Sequence, residues 1–440
     1  MRVDEIRLKN FRKFEDAAVS FHPEFNLLVG ENGSGKTAIL EALAVVLKGL
    51  HYGCVGLLTQ NTVNNTQERV LDFESLTGAG TRHNNDWLVI SKDGQKFIEQ
   101  RFSHEVKAVI FTQYDTQPCK THIICSQKDS QYLLIQDDVY DRKKNNSRMA
   151  LQKKNGSIVF PCLVYYNISR AKKLEELPTQ MRLPLCTDGY TDCWTGEFSD
   201  VLLKEWFLDR EITAVQDGAI PELEAVRKAI VQAIPGCQNV QYRNSYHSFI
   251  IEMKDGKILP FHYLSDGYRN MLSVVADIAH RMARLNPHLG DDVLAETPGV
   301  VLINELDLHL HPQWQRIIAG KLREIFPKVQ FIATTHSPQI INHVKPECIH
   351  ILHDGENGFE CVTPGESYGQ TVDAILEDVM GVSPRPDEIE NKLSRLFSLI
   401  ERRDLDEAKQ LLQEIQNAVV FDPVLIKAEH LIQWKEKAKL

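Results

Sequence analysis

The sequence predicts an α/β protein with a mixed sheet at its centre, an antiparallel β insert, a helical lobe and a C-terminal module made only of helices. Three observations lead to this fold class. Short strands at the start of the chain lead into a glycine-rich loop and then a helix. A strand–helix–strand order around residue 300 implies parallel strands. From residue 366 onward, apolar residues recur at helical spacing.

The N-terminal region contains three predicted strands, followed by a loop and a helix. Val3–Leu8 is the first strand, Ala17–Phe21 is a second short strand, and Phe25–Val29 is an apolar run that ends at a glycine. Between Lys36 and Leu47 the apolar positions fall at helical spacing. A helix is therefore predicted directly after the glycine-rich loop.

Residues 52–160 differ in composition from the segments on both sides of them. They are rich in Asn, Thr, Gln and Ser, and short β-type runs such as Ala108–Phe111 and Tyr132–Ile135 interrupt this polar background. The pattern predicts an antiparallel β insert with long polar loops. A basic stretch from Arg142 to Lys154 is typical of a solvated loop, and a nucleic-acid contact is the alternative.

Residues 198–290 are interpreted as a helical lobe. Helices over Phe198–Asp209 and Ile220–Ala233 are followed by two strands around Val240 and Phe249 and by a long helix over Tyr268–Leu285. Two apolar strands, Val300–Asn304 and Val329–Thr334, then lie on either side of a helix over Trp314–Ile325. Because a helix connects them, the two strands are predicted to be parallel neighbours in one sheet.

The predicted domain boundary separates residues 1–365 from residues 366–440. Helices of the C-terminal segment begin near Pro386 and near Asp404. Acidic residues in the first turn of the second of these helices interact favourably with the helix dipole. We predict that 366–440 is a helical interaction module.

The composition is that of an ordinary globular protein. The chain has 440 residues, 43% of them apolar and 25% charged, and a net charge of −10. Disordered and fibrous classes are thereby excluded, and a surface built to coat nucleic acid is disfavoured. No apolar stretch is long enough for a membrane span, and the N-terminus lacks a signal core. The nine cysteines include no C-x-x-C pair, which favours free thiols in a cytoplasmic protein over a zinc site.

The segment GENGSGKT matches the phosphate-loop pattern G-x-x-x-x-G-K-[ST]. Its glycines allow backbone N–H groups to turn toward phosphate oxygens, and the following helix presents the positive end of its dipole to them. Lys36 is expected to reach the β- and γ-phosphates of ATP, and Thr37 to bind Mg²⁺ through its hydroxyl. The residues predicted to surround the phosphates are Gly30, Asn32, Gly33, Ser34, Gly35, Lys36 and Thr37.

A polar pair, Asn304 and Glu305, follows the apolar strand that begins at Val300. Open α/β sheets bind their ligands at this end of a strand. Glu305 is the candidate general base for an attacking water. Asn304 stands at a position that usually holds Mg²⁺ through an Asp. Because an amide adds no negative charge, we predict a weakened magnesium site and slow hydrolysis.

Two further motifs are less specific when each is taken alone. Ser265 and Gly267 lie in a Leu-Ser-Asp-Gly sequence at the start of the long helix, where hydroxyl and N–H groups can donate to phosphate. A plain helix N-cap is the alternative. His336 ends the second parallel strand, where an imidazole can contact a γ-phosphate. A buried structural histidine is the alternative there.

Together and in this order, the four motifs resemble the ABC-type ATPases of the SMC and RecF-like branch. The resemblance implies that the Leu-Ser-x-Gly motif of one subunit covers the ATP held by the loop of another. Ser265 and Gly267 would then contact the γ-phosphate in trans. The resemblance also implies that Glu305 is the catalytic carboxylate and His336 the switch histidine.

Two other positions are compared with this family. Arg12 lies in a segment similar to the family's opening strand, whose basic residues lie near the nucleotide, so it is included among the predicted ATP contacts. His311 stands where the family has a dimer-facing Asp. The family's glutamine loop is not placed in this sequence.

The spacing of the motifs distinguishes between the branches of this family. The segment between Lys36 and Ser265 is longer than in a transporter's nucleotide-binding subunit, and it has no heptad pattern that predicts a coiled-coil arm. Glu305–Pro312 and Val164–Arg170 resemble the bacterial group that contains the overcoming-lysogenization-defect ATPases and the ATPases of Septu anti-phage systems. No acidic nuclease cluster follows the ATPase region, which favours the Septu type.

The resemblance implies ATP and Mg²⁺ as cofactors, a homo-oligomer with composite ATP sites, and a separate HNH nuclease partner. A RecF/SMC-like DNA-repair ATPase that clamps DNA directly is the alternative, and a transporter motor subunit is a third. A metal-nuclease role for His309 and His311 is disfavoured, because both lie in the expected ATPase turn. The sequence leaves open an engineered origin of Asn304 and a retron RNA–DNA element.

Overall fold

The computed structural model describes most of the chain and divides it into two compact units, Met1–Gly369 and Gln370–Leu440. None of the described helices is long and apolar enough to cross a membrane. The described residues are 1–59, 70–71, 87–92, 95–100, 105–114, 117–128, 131–137, 152–154, 157–167, 186–194, 200–246, 248–355, 358–419 and 422–437.

The secondary structure alternates between strands and helices in the first unit and is helical in the second. The described strands are β1 (Arg2–Phe11), β2 (Phe14–Ser20), β3 (Phe25–Gly30), β4 (Val70–Leu71), β5 (Trp87–Lys92), β6 (Gln95–Gln100), β7 (Glu105–Tyr114), β8 (Gln117–Lys128), β9 (Gln131–Asp137), β10 (Gln152–Lys154), β11 (Ser157–Val159), β12 (Cys162–Tyr166), β13 (Cys237–Arg243), β14 (Ser248–Met253), β15 (Ile258–Pro260), β16 (Gly299–Ile303), β17 (Val329–Thr334), β18 (Ile349–Gly355) and β19 (Gly358–Val362). The described α-helices are α1 (Lys36–Thr59), α2 (Asp200–Asp217), α3 (Pro221–Ala233), α4 (Asp266–Leu285), α5 (Val293–Glu296), α6 (Pro312–Ile325), α7 (Pro338–Ile341), α8 (Val372–Ala374), α9 (Asp387–Arg402), α10 (Leu405–Ala418) and α11 (Pro423–Lys437).

The central sheet has the strand order β12-β16-β17-β3-β18-β19. All neighbours in it are parallel except β18 and β19. Every residue of β12, β16 and β17 is buried, as expected for parallel strands that are covered on both faces. The predicted α/β class with a mixed sheet is therefore confirmed. Because β3, β16 and β17 are parallel, the polar segments that follow them leave the sheet at the same edge.

A second sheet, with the order β2-β1-β7-β8-β9-β4, is antiparallel. Strands β7 to β9 come from the predicted insert, and β7 pairs with β1 from the start of the chain. The insert thus extends a sheet that the N-terminal strands begin. The predicted start of the insert at residue 52 was wrong, because α1 continues to Thr59. Residues 142–151 of the basic stretch lie outside the described residues.

The lobe combines α2, α3 and α4 with the antiparallel strands β13, β14 and β15. Aromatic rings hold these layers together: the ring centroids of Phe207 and Phe249 are 4.9 Å apart in an edge-to-face arrangement. The predicted strands around Val240 and Phe249 are confirmed as β13 and β14, whereas β15 was not predicted.

A buried ion pair joins the lobe helix α4 to the central sheet. The Asp277 carboxylate accepts hydrogen bonds from Arg281 Nε at 2.7 Å and from the Tyr166 hydroxyl at 2.6 Å. Arg281 also donates to the carbonyl oxygens of Gly189 and Thr191. Buried charges are costly unless their hydrogen bonds are made, and here several partners are supplied by three separate segments.

The second unit is built from α9, α10 and α11, whose apolar stripes face one another. Its core includes Leu396, Ala408 and Ile432. Helix α9 ends at Arg402, and its C-cap Arg403 has the left-handed conformation (φ 64°) that commonly terminates a helix.

Candidate functional site

The glycines of the phosphate loop are required by its shape. Gly35 (φ +101°) leaves no room for a side chain, because a Cβ there would lie 2.3 Å from the Phe14 ring. Gly30 (φ +150°) is equally confined, since its Cβ would lie 2.4 Å from the Leu352 carbonyl oxygen. Gly33 (φ +84°) has nothing within 4 Å of the Cβ position. The loop between β3 and α1 is thus packed on one side and open at its tip.

The Lys36 ammonium lies inside this loop. Its Nζ donates to the carbonyl oxygens of Gly30 and Glu31, both at 2.8 Å. Burial lowers the pKa of Lys36, and the nearby Glu305 carboxylate opposes that shift. A partly desolvated cation held at this point is suited to an anionic ligand.

A second lysine supports the same loop. Lys13 Nζ donates to the Gly33 carbonyl oxygen at 2.9 Å and forms an ion pair with Asp354 at 2.9 Å. Its positive charge contributes to the lowered pKa of Lys36. Lys13 was not among the predicted site residues, although it directly follows Arg12 in the opening segment.

Arg12 forms an ion pair with Glu41 of α1, and both side chains are largely buried. Burial raises the pKa of Glu41, and Arg12 opposes that shift. The structure places the guanidinium against the helix that follows the loop, so its contact with ATP stays a prediction.

Ser34 provides a test of whether the loop fits a phosphate. Its Oγ is buried and has no hydrogen-bond partner among the described residues. A buried hydroxyl without a partner costs about 1–3 kcal/mol, which a phosphate oxygen would offset. The open tip at Gly33, the Ser34 hydroxyl and the Lys36 ammonium together fit a bound nucleotide.

Asn304 lies beside Thr37, as predicted for a metal-binding pair. Its Oδ1 accepts hydrogen bonds from Thr37 Oγ1 at 3.4 Å and Thr334 Oγ1 at 2.8 Å. Its Nδ2 donates to the Oδ1 of Asn167, the residue that follows β12, at 3.3 Å. These contacts orient the amide oxygen toward the loop. Among the described residues, no group of three or more His, Cys, Asp or Glu could hold a metal.

Glu305 begins a turn at the end of β16. Its backbone φ is 52°, a conformation that a residue with a side chain seldom adopts. Its N–H donates to Thr334 Oγ1 at 2.7 Å. Burial lowers the pKa of Lys36 and the nearby Glu305 carboxylate opposes that shift, so the two predicted residues share one site.

His336 lies at the neighbouring strand end and is half-buried. Its N–H donates to Asp307 Oδ1 at 3.2 Å, and the adjacent Thr335 hydroxyl donates to the same oxygen at 2.6 Å. The structure brings His336 to the edge that carries Asn304 and Glu305. Sequence reasoning did not single out Asp307, Thr334 or Asn167.

Ser265 and Gly267 lie at the N-terminus of α4. Ser265 is exposed and its side chain makes no capping hydrogen bond. Gly267 packs closely, because a Cβ there would lie 2.7 Å from the His309 carbonyl oxygen. Asn270 Nδ2 also donates to the Leu308 carbonyl oxygen at 2.5 Å. None of the described hydrogen bonds or ion pairs joins Ser265 or Gly267 to residues 30–37.

His311 caps the next helix rather than facing a nucleotide within its own chain. Its Nδ1 accepts from the Gln313 N–H at 3.3 Å at the start of α6. A dimer-facing role for this exposed residue stays a prediction.

Two family models match the chain. The model described as "AAA ATPase domain" matches residues 1–179, and the model described as "AAA domain, putative AbiEii toxin, Type IV TA system" matches residues 196–342. The chain is 51% identical to RecF of Lactococcus lactis subsp. cremoris (strain MG1363) over 43 residues, which cover 10% of this chain and 12% of that protein. In its fold, its phosphate loop and these matches, the chain is similar to ATPases of the ABC/RecF-like class.

The relatives that match most of the chain include a retron ATPase and a Septu protein. The Retron Ec83 probable ATPase of Escherichia coli is 24% identical over 460 residues, covering 95% of this chain and 80% of that protein. The Septu protein PtuA of Bacillus thuringiensis is 24% identical over 396 residues, covering 86% of this chain and 84% of that protein. The predicted similarity to the Septu type is confirmed.

Proposed function

We propose that this chain is the ATPase of a bacterial anti-phage defence system and that copies of it share composite ATP sites. In this proposal the nucleotide state controls a separate HNH nuclease. The observation that carries the proposal is Ser265, exposed and uncapped at the N-terminus of α4, where a phosphate bound by another copy can be reached. The similarity to PtuA and to a retron ATPase supports the defence role.

In the proposed reaction, Lys36 and the backbone of the loop hold the phosphates, and Thr37 and Asn304 lie where a magnesium ion would bind. A bound Mg²⁺ would neutralise charge on the phosphates. Glu305 orients and deprotonates the attacking water, and His336 contacts the γ-phosphate from the adjacent strand end.

Hydrolysis is proposed to be slow, because Asn304 brings an amide where a carboxylate would add charge to the metal site. Binding of ATP then closes the assembly, and slow turnover keeps it closed. We assign 1–365 to nucleotide binding and 366–440 to contact with a partner, the nuclease being the candidate.

Light scattering of the purified chain with and without Mg-ATP tests the composite site. ATP should increase the mass to at least that of a dimer, and Glu305→Gln should stabilise this state. A mass that does not respond to ATP in either protein would contradict the proposal. Purification of the tagged chain from its host tests the partner, since a small HNH protein is expected to co-purify with it.

The second candidate function is direct clamping of DNA, which the RecF match favours. Gel shifts of duplex DNA by the purified chain distinguish the two. A shift that needs ATP and weakens steeply with salt would favour the clamp, whereas its absence together with nuclease binding would favour the defence ATPase.

A further inference from the structure

The turn that follows β16 has an unusual backbone. It runs from Glu305 (φ 52°) to His309 (φ 60°), and both residues are left-handed. Residues with side chains persist in this conformation where surrounding contacts determine it, often at functional sites. The contacts that hold the turn therefore bear on the position of the Glu305 carboxylate.

Asp307 lies at the middle of this turn and contacts the neighbouring strand end. Its Oδ1 accepts from the Thr335 hydroxyl at 2.6 Å and from the His336 N–H at 3.2 Å. Thr335 is fully buried, and its Oγ1 also accepts from the Ser337 N–H at 3.0 Å. One carboxylate oxygen thus fixes both the side chain before His336 and the backbone of His336 itself.

A second contact joins the same two segments. The Glu305 N–H donates to Thr334 Oγ1 at 2.7 Å, and the Leu306 N–H donates to the Thr334 carbonyl oxygen at 2.8 Å. Together with the two bonds to Asp307, these hydrogen bonds join residues 305–307 to residues 334–336. The carboxylate of Glu305 and the imidazole of His336 therefore depend on each other's placement.

We propose that Asp307 is a positioning residue for ATP hydrolysis: it sets the distance between the Glu305 carboxylate and the His336 imidazole without contacting ATP. The inference rests on the proposed hydrolysis at this site and deepens it. A carboxylate is suited to the task because hydrogen bonds to a charged acceptor are the stronger ones. Small displacements of catalytic groups reduce rates strongly.

The kinetics of Asp307→Ala and Asp307→Asn test this role. We expect Asp307→Ala to lower kcat by about 10- to 100-fold, while the Kd for ATP changes by less than about twofold, because the loop at Lys36 is untouched. Asp307→Asn retains an oxygen acceptor and should recover kcat to within about threefold of the unaltered chain. Asp406→Ala, an exposed position on α10, is the matched control and should leave both constants unchanged.

A kcat for Asp307→Ala within about twofold of the unaltered chain would overturn the proposal, as would equal losses for the Ala and Asn variants. Should Asp307→Ala fail to fold, Thr335→Val tests the same proposal, because it removes one donor to Asp307 at nearly constant shape. It should lower kcat and leave the Kd for ATP unchanged. If the unaltered chain binds ATP but never hydrolyses it, the proposed hydrolysis has failed as well, which is a different result from an active chain that tolerates Asp307→Ala.

Discussion

The two candidate ATP-contacting regions of the chain differ in how completely they are built. In the phosphate loop, Lys36 is held by two carbonyl oxygens and Lys13 by a carbonyl oxygen and Asp354. At the N-terminus of α4, Ser265 is exposed and makes no capping bond. The lysines of the loop are held by hydrogen bonds and an ion pair within the chain. The Ser265 hydroxyl at the helix end makes no such capping bond.

The difference indicates that the loop binds ATP and that the helix end contacts another copy of the chain. A preorganised loop binds a ligand without reordering, so a single chain should hold ATP. The helix end is rigid as well, because Gly267 packs on His309 and Asn270 bonds to Leu308. A rigid, exposed donor set is suited to a surface that meets another copy. Substitutions at the loop and at the helix end should therefore have different effects.

The largest effect is expected at the loop. Lys36→Ala should weaken ATP binding by about 1,000-fold, since it removes a partly buried cation from the phosphate site. Lys13→Ala should cost less, about tenfold, because Lys13 is more exposed and acts through the Gly33 carbonyl. Titration calorimetry with a slowly hydrolysed ATP analogue measures both, and equal losses would remove the distinction between the two lysines.

The second effect is expected at the helix end. Ser265→Arg should leave ATP binding by the isolated chain nearly unchanged, while hydrolysis falls by about 100-fold, as for the loss of a group that stabilises charge in the transition state. Hydrolysis assays and calorimetry on one preparation give the two values. A matching loss of ATP binding would indicate that Ser265 serves the site of its own chain.

The third effect is expected at the metal position between the two regions. Asn304→Asp should raise the hydrolysis rate by about tenfold and lower the Mg²⁺ concentration needed for half-maximal rate, because it adds a charged ligand beside Thr37. Rates measured over a Mg²⁺ titration test this. An unchanged rate and an unchanged Mg²⁺ dependence would contradict the proposal that Asn304 weakens Mg²⁺ binding and slows hydrolysis.

The smallest effect concerns stability next to the loop strand. His350 on β18 is buried beside Asn26 of β3, with 2.9 Å between its Nε2 and Asn26 Oδ1, and burial lowers its pKa from 6.5 to about 4. His350 therefore binds a proton less readily in the folded state than in the unfolded state. Stability is therefore fully present above the unfolded pKa of 6.5 and is lost as pH falls toward 4. The loss between pH 7.5 and 5.5 should be on the order of 1 kcal/mol.

Urea unfolding at the two pH values measures this dependence. His350→Gln keeps a donor for Asn26 and removes the titration, so its unfolding free energy should change less with pH than that of the unaltered chain. An unchanged pH dependence in this variant would assign the effect to other groups.

The loop and the strand ends could be predicted from the sequence because their chemistry demands recognisable local patterns. Gly30, Gly33 and Gly35 occupy positions that a side chain would strain, and Asn304 and His336 follow apolar strands that only a buried sheet explains. The parallel pairing of β16 and β17 then brings the two strand ends together.

The supporting contacts could not be predicted in the same way, because they join residues that are distant along the chain. Asn167 meets Asn304 only because β12 pairs with β16, and Thr334 meets Glu305 only in the folded register. Tyr166 and Asp277 are polar residues inside apolar elements, and no local pattern pairs them. Strand β15 of the lobe was not predicted, since a run of only three residues carries little local signal.

Mixing two inactive variants tests the composite site most directly. Lys36→Ala retains the helix end and Ser265→Arg retains the loop, so a mixed dimer contains one site with both parts intact. The account predicts that each variant alone hydrolyses ATP poorly and that the mixture recovers a substantial part of the unaltered rate. A mixture that is no more active than the two variants measured separately would contradict the claim that Ser265 of one copy completes the ATP site of another.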